Sequence, residues 1–188
     1  VRAAVRALDG RDVVLVDVDA SDRHGALTST SSLMLEHAAA TALHHRVPLV
    51  VVMRSSGADI VEGFAALHGW GRAAKALADC SGIVPTLFVV DGPAVSGPAL
   101  LLGMADHVVM TESAYAFVSG PTMVAEFTGV LVDNDELGGS ASHARYTGAA
   151  SLVAADLEAA LDLVRALLDY MPQHNRSEEH TSELQSRV

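Results

Sequence analysis

Two short stretches carry residue types that could do chemistry. The first is "RSSGAD", residues 54–59, which follows the apolar run "PLVVVM". The second is "DGPAVSGPA", residues 91–99, which follows "TLFVV". In each, small residues stand between a buried strand and a helical segment. Glycine has no Cβ to keep a ligand from the backbone, and a helix start beyond such a turn directs free N–H groups outward. Two such loops that share a pocket could hold an enolate or a tetrahedral oxyanion with backbone donors, without an acidic side chain. The plainer reading of either loop is a tight strand-to-helix connection. Ser55 and Ser56 have no visible base to activate them as nucleophiles. His37, His44 and His45 lie along one helix with no carboxylate placed to complete a metal site, which assigns them to surface or packing. His143 could support the site through a hydrogen bond without touching the ligand, or could be a plain loop residue. Asp133, Asp135 and Glu136 read as a helix-start cap. No G-x-x-x-x-G-K-[ST] or G-x-S-x-G pattern occurs, which argues against a P-loop and an α/β-hydrolase elbow.

The elements that would position these loops alternate. Strands are expected at 11–19 and 48–53, the second a continuous apolar run that suits a sheet buried on both faces. Helices are expected at 28–46 and 62–82. Residues 84–110 read as strand, turn, short helix and strand, and 114–121 as a short strand entering a helix, with Pro121 at its first position. An acidic turn or short helix is expected at 133–139. An amphipathic helix is expected at 154–172, with Leu157, Leu161, Val164, Leu167 and Leu168 on one face. The alternation predicts an α/β domain of parallel βαβ units, with ligands beyond the carboxyl ends of the strands. No repeat or linker interrupts residues 1–175.

Composition narrows the class. The chain has 188 residues, 50% of them hydrophobic and only 4% aromatic, and a net charge of −11. Its mean hydropathy is +0.31. This describes a globular domain with a real core. The acidity argues against nucleic acid and anionic membrane as general partners. No apolar stretch reaches the length of a membrane span. The single cysteine, Cys80, fits a reducing cytoplasm. The last stretch, "RSEEHTSELQSRV", is polar and aperiodic and resembles a translated sequencing adapter. Residues 176–188 are therefore expected to be a non-native tail, with the natural chain continuing past Asn175.

Residues 11–172 resemble the N-terminal half of the carboxyltransferase (β) subunits of biotin-dependent acyl-CoA carboxylases, of the acetyl- and propionyl-CoA type. "VPLVVVMRSSGADIVEGF" is similar to the family's strand and D-S-G-G-A-R-x-x-E-G. "VDGPAVSGPALLLGMADHVVM" is similar to its G-P-x-A-G-G-A segment, and "AYAFVSGPTMVAEFTG" to its Y-x-F-V-T-G-P. "NDELGGSASHARYTG" resembles E-E-L-G-G-x-x-x-H-x-x-x-S-G, and "LLDYMP" resembles L-L-x-Y-L-P. The resemblance implies a crotonase-like fold, a mainly parallel sheet flanked by helices. It implies that this half holds a short acyl-CoA, acetyl or propionyl, and that a second half receives carboxybiotin from a biotin carboxylase and carrier subunit. Ring-shaped hexamers, a cytoplasmic location and no metal in this domain are also implied.

By the same resemblance, Ser56 and Gly57 would supply a backbone oxyanion hole, and Ala58, Gly92, Pro93, Ser96, Gly97, Phe117, Ser119 and Gly120 would contact the acyl-CoA. Several positions depart from the pattern. Arg54 stands for the family's Asp, Ser56 for its first Gly and Asp59 for its Arg, while the second loop has Ser96-Gly97-Pro98 in place of Gly-Gly-Ala. A positive φ at Ser56 would cost about 1 kcal/mol. The paired reversal predicts an Arg54–Asp59 ion pair that braces the loop. These departures also fit a non-catalytic CoA-binding or assembly paralogue. A malonate decarboxylase β-type subunit is a third reading, from which the E-L-G-G-x-x-x-H and "LLDYMP" matches point away.

Overall fold

The computed structural model describes residues 1–21 and 23–177, so most of the tail expected from 176 onward lies outside the described residues. Seven strands form one sheet: β1 (Arg2–Leu8), β2 (Arg11–Val18), β3 (Leu49–Ser55), β4 (Thr86–Val95), β5 (His107–Thr111), β6 (Tyr115–Phe117) and β7 (Leu152–Ala154). Their order is β1-β2-β3-β4-β5-β7, and β6 pairs with β4 off that path. Every pairing is parallel except β1 with β2. The helices are α1 (Ser29–His45), α2 (Phe64–Cys80), α3 (Gly97–Leu101), α4 (Pro121–Thr128), α5 (Asn134–Gly138), the single turn α6 (Ser140–Ser142) and α7 (Leu157–Tyr170). Among the described residues no helix is long and apolar enough to cross a membrane.

Two strands were not foreseen. Asp9 and Gly10 take φ of 48° and 85° and close a two-residue hairpin that returns the chain as β1. "RAAVRAL" carries little β-branching and is mostly exposed, which suits an edge strand guarded by arginines. β7 is three residues long and ends at Ala154, where a helix had been expected to begin. That helix starts at Leu157, because Asp156 caps it by accepting from the Ala159 N–H at 2.9 Å.

The strand period of two sorts the sheet's side chains into two cores. Val14, Val16, Val51, Met53, Phe88 and Val90 pack with the buried faces of α1 and α2. Val13, Val50, Val52, Leu87, Val89 and Val109 pack under Ala160, Val164 and Leu168 of α7. Arg11 ties the C-terminal end of α7 to β2 by donating to the Leu168 and Met171 carbonyls, where a cation also suits the helix dipole. β4 is the pivot for the site. Its first half pairs with β5 and its last residues, Pro93–Val95, pair with β6. Gly92, at φ 123°, sits at the handover between the two partners.

Candidate functional site

The first loop leaves β3 through a register shift between Met53 and Ser55. It is held from outside by a segment that the local sequence pattern did not single out, Arg23–Leu27. The buried Ser55 Oγ donates to the Gly25 carbonyl at 2.6 Å. Leu27 N–H donates to Gly57 O at 2.8 Å and Asp59 N–H to Leu27 O at 2.9 Å. The approach is so close that a Cβ on Gly25 would lie 1.9 Å from the Arg54 carbonyl oxygen. A glycine directly after "RH" is the only sequence signal of this contact.

Three expectations for this loop are corrected. The Ser56 N–H is not free to face a ligand, because it donates to the His24 carbonyl at 3.1 Å. Arg54 and Asp59 do not pair. Strand alternation places Arg54 on the same sheet face as Val50 and Val52, where its Nε meets Asp91 at 2.9 Å and its Nη1 meets Asp17 at 3.0 Å. Burial works against the Arg54 charge, but the hydrogen bond and charge of Asp91, then those of Asp17, outweigh it and raise its pKa. Asp59 lies past the strand end and pairs with Arg23, whose hydrogen bond holds the carboxyl below its usual range with help from the Val61 N–H. Finally, α2 begins only at Phe64, so its N–H groups do not follow directly on Gly57. The intervening Glu62 instead accepts from the Ser29 N–H at the start of α1, at 2.7 Å.

Around Ser96 the hydrogen bonds of the second loop are made by backbone alone. Ser96 N–H donates to Phe117 O at 2.8 Å, and its carbonyl accepts from Ala99 N–H at 3.1 Å. Ser96 has φ 63° and ψ −123°, so the non-glycine strain anticipated at Ser56 falls here. Gly97 lies against Trp70, whose Nε1 and Cδ1 are 2.8 and 2.9 Å from where its Cβ would be. The Trp70 indole N–H is buried and has no hydrogen-bond partner among the described residues.

The two loops meet. The missing side chain of Gly57, at φ 125°, faces Val95 O at 3.5 Å and Ser96 Cβ at 3.7 Å. The Gly57 N–H is only weakly engaged, with Ser55 Oγ at 3.3 Å. The Gly97 N–H has no acceptor among the described residues, and Pro98 beside it has no N–H to offer. Gly57, Ser96 and Gly97 are thus brought together. A cleft of about 410 Å³ is lined by Ala99 and Leu100, which follow Pro98, and by Phe117, Val118, Leu137 and His143 among others, with no carboxylate; Gly57, Ser96 and Gly97 lie outside its lining. Ser56 and Ala58 instead line a different cleft of about 530 Å³, with Arg23, His24 and Ile60. Gly92 and Pro93 lie back within β4, and Ser119 and Gly120 lead into α4 outside the lining of either cleft.

His143 holds the cleft wall. Its Nε2 lies 2.7 Å from the Ala116 carbonyl, its Nδ1 2.8 Å from Thr147 Oγ1. Because a carbonyl only accepts, Nε2 carries the proton. His143 thus stitches the turn after α6 to β6, and Phe117 of β6 is stacked on Tyr115 at 5.4 Å. Asp133 caps α5 through the Glu136 N–H at 2.7 Å. Among the described residues no group of three or more His, Cys, Asp or Glu could hold a metal ion.

The family model described as "Carboxyl transferase domain" matches residues 1–187. The chain belongs to the carboxyl transferase domain family. It is 32% identical over 169 residues to the methylmalonyl-CoA carboxyltransferase 12S subunit of Propionibacterium freudenreichii subsp. shermanii, covering 90% of this chain and 32% of that protein. It is 33% identical over 184 residues to the propionyl-CoA carboxylase beta chain of Rhodococcus erythropolis, covering 98% and 39%. The crystal structure of transcarboxylase 12S, a hexamer assembly with methylmalonyl-coenzyme A and methylmalonic acid bound, superposes with a TM-score of 0.90 at 31% identity, over 94% of this chain and 34% of that one. The beta subunit of P. aeruginosa geranyl-CoA carboxylase superposes with a TM-score of 0.82 at 23% identity, over 90% of this chain and 32% of that one, a likeness of fold. The fold of this carboxyl transferase domain is crotonase-like. The chain spans about a third of the length of the first curated relatives it matches.

Proposed function

We propose that this carboxyl transferase domain is the acyl-CoA-binding part of an enzyme that carboxylates the α-carbon of a short acyl-CoA, acetyl or propionyl. The observation that carries the reading is the meeting of Gly57 with Ser96–Gly97, where the Gly97 N–H has no acceptor among the described residues and the Gly57 N–H is weakly engaged, with an apolar cleft that begins at Ala99 and Leu100. Loss of the α-proton moves an electron pair toward the thioester carbonyl; that pair would form the new carbon–carbon bond to the carboxyl carbon as the carboxyl–nitrogen bond of carboxybiotin breaks, and the nitrogen so released would take up the α-proton. Fixed N–H dipoles aimed at the carbonyl oxygen stabilise the enolate without reorganising. Leu100 and Phe117 would exclude water beside the thioester, while His143 keeps β6 in place. Carboxybiotin, brought by a biotin carboxylase and carrier protein, supplies the carboxyl group. The complete protein would work as a hexamer, as its 12S relative does.

The test is to give the complete chain malonyl-CoA or methylmalonyl-CoA and free biotin and to measure release of acetyl-CoA or propionyl-CoA. Turnover that depends on biotin is expected, and its absence from folded, CoA-binding protein would overturn the reading. That second outcome would favour a non-catalytic paralogue, for which the specific observation is the Ser56 N–H already committed to His24.

A further inference from the structure

We infer that Arg54 is a positioning residue, whose side chain fixes the bulge in β4 that brings Ser96 and Gly97 against Gly57. The inference rests on the acyl-CoA reading above and concerns how the two loops are held to one another, not a further contact with ligand. The register between β3 and β4 runs unbroken from Leu49 opposite Thr86 to Met53 opposite Val90, and resumes with Ser55 opposite Ala94. Between those pairs Arg54 alone faces Asp91, Gly92 and Pro93, so three residues of β4 stand opposite one of β3. The same residues carry β4 from β5, its partner up to Val90, to β6, its partner from Pro93. Gly92 turns the strand there at φ 123°, and Pro93 has no N–H to give to a neighbour. Backbone pairing with β3 thus lapses where the second loop takes its direction. Arg54 supplies what the ladder lacks. Its Nε donates to Asp91 Oδ2, within the bulge, at 2.9 Å, and its Nη1 donates to Asp17 Oδ1 on β2 at 3.0 Å. Its carbonyl oxygen is the atom against which Gly25 packs. One residue therefore ties together the bulge, β2 and the segment that seats the first loop. Arginine suits the place because its planar fork can hold carboxylates on the strands to either side, which a single ammonium does not do in fixed geometry. A slide of the bulge by one residue would shift Ser96 and Gly97 by roughly 3.3 Å along β4 and reverse the face each presents. Bulges next to active sites re-aim the residues beyond them in this way.

The experiment uses the complete chain, with Arg54→Met, Asp91→Ala, their double variant and Asp17→Ala compared with wild type. Each is measured in biotin-dependent decarboxylation, well below its own Tm, and in amide hydrogen exchange. Arg54→Met and Asp91→Ala are each expected to lower kcat about 10- to 100-fold, the order that a misplacement of about 1 Å can cost, with KM for the acyl-CoA changed less than about threefold. The double variant should lose no more than about twofold beyond either single one, since both remove the same bond. Asp17→Ala takes a carboxylate from the same guanidinium without touching the bulge, so its kcat should stay within about threefold of wild type. Exchange reads the bulge without turnover. The Ser96 amide, bonded to Phe117 O, should exchange at least about tenfold faster in Arg54→Met and Asp91→Ala, while the amides of Leu87–Val90 keep their protection. Equal losses of kcat in Asp17→Ala and Asp91→Ala overturn the assignment, because they trace the effect to the charge of Arg54 and not to the bulge. Unchanged Ser96 exchange in Asp91→Ala overturns it too, whatever the turnover and even where Arg54→Met does not fold. Wild-type protein with no biotin-dependent turnover overturns the acyl-CoA reading, and the exchange of Ser96 alone then decides whether Arg54 holds the bulge.

Discussion

The two loops at the carboxyl ends of β3 and β4 look alike in sequence and are built differently. The first, Ser55–Asp59, is held by a distant segment and by side chains: Ser55 Oγ on Gly25, Asp59 on Arg23, and paired main-chain bonds with His24 and Leu27. The second, Val95–Pro98, is held by its own strand partner β6 and by the start of α3. The first therefore turns its polar groups inward to the protein. The second leaves a hydroxyl and an N–H without a partner among the described residues. Small residues serve the first loop by allowing close packing and the second by keeping space open, so composition alone does not distinguish a braced loop from a receptive one.

The largest effect that would test this contrast lies outside both loops. Gly25→Ala would drive a Cβ against the Arg54 carbonyl oxygen and would also hold an L side chain at φ 72°. Overpacking and left-handed strain together are expected to destabilise the complete chain by about 3–4 kcal/mol in urea or thermal unfolding. A cost below about 1 kcal/mol would mean that the first loop is not seated on residues 23–27 as described, and the contrast would fail.

A smaller effect is expected at the second loop. Gly97→Ala brings a Cβ to within 2.8 Å of Trp70 Nε1, the side chain of a helix that can give a little. The expected cost is about 1–3 kcal/mol. In a Trp70→Leu background the same substitution should cost at least about 1 kcal/mol less, a coupling read from a double-mutant cycle. An unchanged cost would remove the clash as its cause and leave the tryptophan with no part in holding the loop.

What the sequence shows and what it hides follow from the range of the contacts. The runs through Val50–Val52 and Leu87–Val90 announce a doubly covered parallel sheet because burial on both faces leaves a continuous apolar signature. The closing helix is equally plain in the spacing of Leu157, Leu161, Val164, Leu167 and Leu168, all of which pack on that core, although the fully buried positions are Ala160, Val164 and Leu168. β1 escaped because an edge strand needs little β-branching, and β7 because three residues are too short for a period to appear. The smallness of both loops was visible. Their partners were not, since Gly25 meets Ser55 from another element and Ser96 takes its strain from Phe117, neither of which local pattern encodes.

The smallest effect expected concerns the charges around the first loop. The reversed Arg54 and Asp59 invite pairing, yet they lie in separate networks: Arg54 joins β2, β3 and β4 through Asp17 and Asp91, and Asp59 joins the loop to residue 23. A cycle of Arg54→Met with Asp91→Asn should therefore show coupling of about 0.5–1 kcal/mol, since both side chains are largely withdrawn from water. Arg54→Met with Asp59→Asn should show coupling within about 0.3 kcal/mol of zero. Equal coupling in the two cycles would join these three strands and the loop into one electrostatic unit. The predicted inequality would instead make Arg54 part of the sheet that carries the loop and Asp59 part of the loop's own anchor. The acidic titration of Asp59 would then loosen residues 55–59 alone: its pKa is lowered in the fold, so its contribution is present above the ordinary carboxylate range and is lost as pH falls through the depressed value.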